Sequence, residues 1–317
     1  MTLPSQMTAM TITRPGGPEV LQLQSAPVPA CGADDVLIQI AAAGVNGPDL
    51  AQRAGHYDPP PGASPLLGLE VAGVVVARGA AVTDWAPGDR VMALVNGGGY
   101  AEYVAVPAGQ VLPMPTGWSF AEAAALPETW FTITQSLVMR AGLTSGMVVL
   151  VHGASGGIGG AAIQIATALG ARAIGIVSTP EKAEYVSRLG AFATIDRTSE
   201  DIVERVLTLT DGHGADRIID VVGGPMAETN IAAAALGGHI IQVSTLGGSS
   251  ATLSLRALMG KQLTLSGSTL RPQSAATKAA IARRIRTDLL PALGPRMGAP
   301  RGQPIPPRRR GRGPCNA

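Results

Sequence analysis

The 317-residue sequence predicts an α/β protein in which a smaller β-rich barrel domain precedes an open, doubly wound parallel sheet. Three observations carry this. Short apolar or alternating runs punctuated by Pro and Gly fill residues 1–122. From about residue 123 the pattern changes to six strands alternating with helices. Within that second region the run Met147-Val-Val-Leu-Val-His-Gly-Ala-Ser-Gly-Gly-Ile-Gly159 breaks from apolar into small residues and resumes as an alanine-rich helix. Hydrophobic residues make up 46% of the chain and charged residues 15%, enough to fill a core in each of two domains and too apolar for a disordered chain.

In the first region, strands are expected at Met7–Ile12, Val36–Ala41, Val71–Ala77, Arg90–Val95 and Tyr103–Val106. Trp85-Ala-Pro-Gly-Asp-Arg-Val91 reads as a turn entering the fourth, with Pro and Gly where a turn needs them. In the second region, residues 123–266, Val148–Val151 is a continuous apolar run, as a strand buried on both faces requires. A helix over 160–169 follows and stops at Gly170. Then come strand 172–177, helix 181–189 with Pro180 in its first turn, strand 193–195, helix 200–210, strand 217–222, helix 226–236 and strands 239–243 and 262–265. The last strand lies at an edge, where pairing with its copy would make a homodimer, or a homotetramer built on it.

Residues 267–293 return toward the first domain: Ala279, Ala282, Ile285 and Leu289 recur at helical spacing. Residues 294–317 are rich in Pro and Arg, hold one isoleucine and show no periodicity, which reads as a disordered tail. Much of the basic excess behind the net charge of +2 sits there, at Arg301, Arg308, Arg309, Arg310 and Arg312. The main body therefore lacks the basic face of a nucleic-acid-binding protein. No apolar run reaches the roughly 18 residues needed to span a bilayer, and residues 1–10 lack the basic head and apolar core of a signal peptide. Two cysteines, Cys31 and Cys315, are too few for a disulfide framework or a four-cysteine zinc lobe, so the expected compartment is the reducing cytoplasm.

The chemistry starts at the small residues. The spacing Ala154-x-Gly156-x-x-Gly159 after a strand and before a helix lets the backbone turn tightly and approach a pyrophosphate, whose charge the free amides of the helix start would hold. Ala154, Ser155, Gly156, Gly157, Ile158 and Gly159 are thus the expected cofactor cradle. About 20 residues on, NAD-selective versions of this unit carry Asp or Glu to hold the ribose hydroxyls. Here Ser178 stands at that place, and Lys182 and Arg197 are near enough in sequence to pair with a 2′-phosphate. NADPH is expected over NADH. Glu181 would serve NADH instead if the strand ended later than Val177.

The order of a β-rich domain, Val151-His-Gly-Ala-Ser-Gly-Gly-Ile-Gly159 and Asp220-Val-Val-Gly-Gly224 resembles the medium-chain dehydrogenase/reductase superfamily. Ala43-Gly-Val-Asn-Gly-Pro-Asp-Leu50, Gly55-His-Tyr-Asp-Pro-Pro-Pro-Gly62 and Leu67-Gly-Leu-Glu-Val-Ala-Gly73 look like its zinc-free quinone oxidoreductase branch, the zeta-crystallin relatives. Asp58-Pro-Pro-Pro-Gly-Ala63 and Ala125-Leu-Pro-Glu-Thr-Trp130 resemble the subgroup that includes the p53-inducible quinone reductase of animals. The resemblance implies a Rossmann sheet and a GroES-like barrel. Zinc-dependent relatives carry Cys where this chain has Asn46 and His where it has Leu69, so no metal is expected, and hydride transfer to a quinone or activated enone is the implied activity.

By the same resemblance, Asn46 would reach the nicotinamide or the acceptor carbonyl, and Tyr57 would line the acceptor site. Thr132 would sit beside the nicotinamide, covered by the main chain of Ser244, Thr245, Leu246, Ser268, Thr269 and Leu270. Asn46 also suits a turn beside Gly47-Pro48, and Tyr57 an ordinary loop position. Asp49 reads as a cap, Glu70 as a buried partner for a backbone or basic group, and His152 as a satisfied core histidine. Members of the family continue past the position of Leu293 with an apolar strand, a helix and a closing strand. This chain has the Pro/Arg stretch, as a shifted reading frame would produce, so an NADPH-binding protein with little turnover is a second expectation, and an enoyl-thioester reductase a third.

Overall fold

The computed structural model describes residues 3–292, so the expected disorder of 294–317 lies outside the described residues. The first region pairs β1 (Gln6–Ile12) with β2 (Leu21–Pro27) as an antiparallel ribbon. Beside it lies a five-stranded antiparallel sheet made of β3 (Asp35–Ala43), β4 (Glu70–Arg78), β5 (Arg90–Leu94), β6 (Tyr103–Pro107) and β7 (Val111–Pro113), in the order β6-β3-β4-β5-β7. Its inner face is almost all β-branched: Val36, Ile38, Val71, Val75, Val91 and Val104 are buried together. β2 was not expected because its residues face outward, Leu23 being 62% exposed. A short helix, α1 (Gly47–Arg53), starts in the Asn-Gly-Pro run and carries the chain between β3 and β4.

Two helices follow. α2 (Phe120–Ala124) opens on a capping box in which Glu122 donates its amide to Ser119 and Ser119 donates its amide and hydroxyl to Glu122. α3 (Pro127–Ile133) begins with proline in its first turn and runs on as a wider, buried turn of helix over 134–140.

The second sheet is parallel, six-stranded and ordered β10-β9-β8-β11-β12-β13. Its elements alternate as β8 (Val148–Val151), α4 (Gly157–Ala168), β9 (Arg172–Val177), α5 (Pro180–Arg188), β10 (Ala193–Asp196), α6 (Ile202–Leu209), β11 (Ala215–Asp220), α7 (Ala227–Ala233), β12 (Ala234–Gln242), α8 (Leu255–Gly260) and β13 (Thr264–Gly267). The order reverses between β8 and β11, which opens a crevice at their carboxyl ends. The helix expected over 226–236 ends at Ala233. Ala232-Ala-Ala-Ala235 has helical propensity, but Ala234 turns extended (ψ 145°) and pairs with Ala215 of β11. The last strand lies two residues later than expected, because Gln262 (φ 53°) completes a turn first.

The chain then crosses back. α9 (Ala275–Arg284) and the turn of helix after it bury Ile281, Ala282, Ile285 and Leu289, while Ala279 is half-buried against Gly109, whose missing Cβ would lie 2.8 Å from the Ala279 Cβ. Between α9, β6 and the ribbon runs an apolar groove of about 660 Å³, lined by Pro27, Pro61, Pro65, Val104, Val106 and Lys278 among others. Among the described residues, no helix is long and apolar enough to cross a membrane.

Candidate active site

The small-residue loop forms the turn its spacing demands. Gly153 takes φ +59°, while Ala154 keeps negative φ, so an alanine fits there. A Cβ at Gly159 would stand 2.3 Å from the Gly153 carbonyl oxygen and 2.5 Å from the Ala154 Cα, so only glycine lets α4 pack this closely on the loop. Gly175 of β9 makes room for Ala154 in turn: a Cβ there would meet that of Ala154 at 2.9 Å. Gly156 caps α4 without a side-chain acceptor, and Gly156 and Gly157 are exposed, leaving the first-turn amides open to an anion. Ser155 and Ile158 are partly exposed in the same loop.

β9 ends at Val177, which puts Ser178 just beyond it. Lys182 donates from Nζ to Ser178 Oγ at 2.9 Å, and the Arg197 amide donates to the Val177 carbonyl at 3.1 Å. Ser178 and Lys182 thus meet just beyond the end of β9, with the backbone of Arg197 bonded to that strand's last residue. Glu181 accepts from Thr179, which holds its carboxyl below the usual range. At the β11 end, Asp220 accepts from the amides of Val222 and Gly223 and from Asn230 Nδ2, whose Oδ1 meets His152 Nε2 at 2.7 Å. His152 is buried and tied within this chain, and burial pushes its pKa down.

The ends of β12 and β13 bring Ser244, Thr245 and Leu246 near Ser268 through the bond from the Ser268 amide to the Gln242 carbonyl (2.9 Å). Leu246 is exposed, Thr269 is exposed, and Leu270 is packed into the core, so only its main chain can cover a ligand. Ser268 Oγ is buried without a partner among the described residues, an orphaned polar atom that a ligand amide would satisfy. These features fit a dinucleotide.

Across α3 lies a cluster of ionisable groups. Asn46, with extended backbone at the start of α1, donates from Nδ2 to Glu70 Oε1 at 2.8 Å and from its amide to Asp49 Oδ2 at 2.9 Å. Asp49 also accepts from the Gly68 amide (3.0 Å) and the Tyr100 hydroxyl (3.2 Å). Glu70 Oε2 accepts from the Glu128 amide in the first turn of α3 (2.9 Å). Only glycine at position 44 leaves room, since a Cβ there would fall 1.9 Å from Glu70 Oε1. Burial pushes Glu70 up to about 7 despite its two donors. Burial, then Glu70 and Asp49, push Glu128 up to about 8 against the pull of Lys278 and Arg271.

Tyr57 is half-buried with the Arg271 guanidinium 5.4 Å from its ring centre, and burial raises its phenol. Arg271 donates to Gln52 Oε1 (2.8 Å) and the Asn96 carbonyl (3.1 Å), while its Nε is buried with no partner among the described residues. Lys278 donates to Asn96 Oδ1 and to the Arg271 carbonyl (2.8 Å), and burial lowers it to about 8. Thr132 follows Glu128 one turn along α3 and donates to its carbonyl at 2.7 Å. Among the described residues no group of three or more His, Cys, Asp or Glu side chains is placed to hold a metal ion.

Asn46 is thus joined through Glu70 to the first turn of α3, with Thr132 one turn along that helix, and Tyr57 packs against Arg271. Sequence reasoning missed Glu128, Arg271 and Lys278 as members. Glu128 was visible only as part of Ala125–Trp130, and Lys278 sits in an alanine-rich stretch that looks like an ordinary solvated helix face.

Residues 32–116 match the family described as "Alcohol dehydrogenase GroES-like domain", and residues 157–284 that described as "Zinc-binding dehydrogenase". A quinone oxidoreductase of Rattus norvegicus is 33% identical over 266 residues, which cover 83% of this chain and 80% of the relative. A solved NAD-dependent alcohol dehydrogenase aligns with TM-score 0.77 and 34% identity, covering 88% of this chain and 89% of that one. The Escherichia coli quinone oxidoreductase complexed with NADPH aligns with TM-score 0.72 and 28% identity, over 88% of this chain and 86% of its own. With a GroES-like first domain, a Rossmann sheet and relatives of this similarity over most of its length, the chain belongs to the medium-chain dehydrogenase/reductase superfamily, in its quinone oxidoreductase branch.

Proposed function

We propose that this protein is an NADPH-dependent oxidoreductase that reduces a quinone or an activated enone without a metal ion. The observation that carries it is the arrangement about α3. One side touches the anion-binding loop, where a Cβ on Gly157 would lie 3.2 Å from Thr129 Cγ2; the first turn is tied by the Glu128 amide to Glu70, which in turn holds Asn46. When bound, the reduced nicotinamide supplies the hydride. The chain's own residues bind, orient and protonate. The open amides of Gly157 and Ile158 would hold the pyrophosphate, and Lys182 with Arg197 the 2′-phosphate, there being no carboxylate at Ser178 to repel it. Asn46, its amide fixed by Glu70, would orient an acceptor carbonyl, and Tyr57 would offer a ring for a flat acceptor to stack on.

Similarity to the quinone oxidoreductase of Rattus norvegicus and to the Escherichia coli quinone oxidoreductase complexed with NADPH supports this reading. The test is NADPH consumption with a quinone, an enone and an enoyl-CoA, repeated with Asn46→Ala and Tyr57→Phe. A quinone or enone preference with lowered turnover in Asn46→Ala is the expected result. Full activity of both variants on every acceptor would remove the site assignment; an enoyl-CoA preference would make the protein a thioester enone reductase, and tight NADPH binding without turnover a nucleotide-binding protein.

A further inference from the structure

Five ionisable side chains surround Glu128: Glu70 on β4, Asp49 on α1, Tyr57 in the loop after α1, Arg271 after β13 and Lys278 on α9. Their hydrogen bonds decide which of them is able to give a proton. Both oxygens of Glu70 are occupied, by Asn46 Nδ2 and by the Glu128 amide. Asp49 accepts from Asn46, Gly68 and Tyr100. Lys278 donates to Asn96 and to the Arg271 carbonyl, and the guanidinium of Arg271 keeps its protons. Burial makes the Tyr57 phenol a weaker acid than usual. The Glu128 carboxyl accepts no hydrogen bond from the described residues, and Glu128 is only partly buried, next to the Glu70 carboxylate that holds Asn46. Thr132, expected beside the nicotinamide, is four residues on and shares its helix face.

We propose that Glu128 is the proton donor of the reaction: as the hydride pair of the reduced nicotinamide forms its bond to the acceptor, the Glu128 O–H bond breaks and the proton goes to the acceptor oxygen that has gained the charge. The nicotinamide is oxidised by two electrons and the acceptor reduced by two, and water returns a proton to the carboxylate before the next turnover. The proposal rests on the hydride-transfer reading above. It assigns each neighbour a part. Glu70 and Asp49 keep the proton on Glu128 at neutral pH, and Lys278 and Arg271 stabilise the carboxylate left behind.

The experiment uses the full chain with Glu128→Gln and Glu128→Asp. In the resting protein near pH 7, the infrared band of protonated carboxylic acid should be present in the wild type and should lose its Glu128 share in Glu128→Gln, with the Glu70 share remaining until Glu70→Gln is added. Turnover of Glu128→Gln with quinones should fall by about a hundredfold or more, with NADPH affinity unchanged and the wild-type decline above about pH 8 abolished. The deficit should widen for quinones whose reduced anions are stronger bases, and Glu128→Asp should recover part of the rate. Glu128→Gln with wild-type turnover and pH profile, or a protonated-acid band that Glu128→Gln leaves unchanged, overturns the assignment and leaves the hydride-transfer reading standing. A wild type that fails to oxidise NADPH in the presence of any quinone or enone overturns both.

Discussion

Glu128 and Lys278 titrate in opposite senses, and the stability of the protein should show it. Burial and the mutual repulsion of carboxyls raise Glu70 from 4.5 to about 7 and Glu128 from 4.5 to about 8. Between those limits the folded chain binds more protons than the unfolded one, so their contribution is fully present below about pH 4.5 and is lost as pH rises toward 8. Lys278, lowered from 10.5 to about 8, binds fewer protons when folded, so stability recovers in part from about 8 to 10.5. The melting temperature should therefore fall from pH 5 to pH 8 and then level off. Glu128→Gln should flatten the fall, with a gain at pH 8 on the order of 2 kcal/mol, since its partial exposure discounts the full shift. A melting temperature that rises from pH 5 to 8 in the wild type would contradict this. Such behaviour was not legible in the sequence: Glu70 and Glu128 are 58 positions apart, and only the fold sets one carboxylate against the other's amide.

At the scale of elements, the join of β9 to the anion-binding loop is the most sharply constrained contact. Gly175→Val would drive a methyl into Ala154 and into Val186 Cγ1, which an added Cβ already meets at 2.9 and 2.7 Å. The expected cost is about 1–3 kcal/mol. Thermal unfolding should show it together with weaker NADPH binding, and Ala154→Gly in the same chain should restore part of both. The edge strand β13 carries Leu265, 46% exposed, beside Met259 and Leu255 of α8, 73% and 68% exposed. If two copies pair along this edge, Leu265→Lys should shift sedimentation from dimer toward monomer; a wild type that sediments as a monomer would dispose of the pairing. The alternating strands and helices of the parallel sheet were legible because periods of two and 3.6 residues are written in the side chains. β7, with three residues, and α8, with no buried side chain, carry too little pattern to be read.

For the whole molecule, the choice of cofactor is the property that most depends on distant parts meeting. Ser178 was readable from spacing alone, and the Lys182 ammonium does lie against it. Lys182→Ala should weaken NADPH binding by about tenfold, close to the loss of one charge-assisted hydrogen bond to a phosphate, and leave NADH unchanged. Equal losses for both nucleotides in titration calorimetry would point to general destabilisation instead. The acceptor side was less legible, because Asn46, Tyr57, Glu128, Arg271 and Lys278 come from five separated stretches of chain. The stretches around Asn46, Tyr57 and Glu128 carry family motifs, whereas those around Arg271 and Lys278 carry none.

The proline-walled groove between α9 and β6 has a practical consequence. It offers a wide apolar trough to solvent in the native state, so an environment-sensitive dye such as anilinonaphthalene sulfonate should fluoresce on binding to fully folded protein. Dye brightness would then be no indicator of a loosened or molten preparation, and the near-ultraviolet signal of Trp85, Trp118 and Trp130 would have to serve in its place.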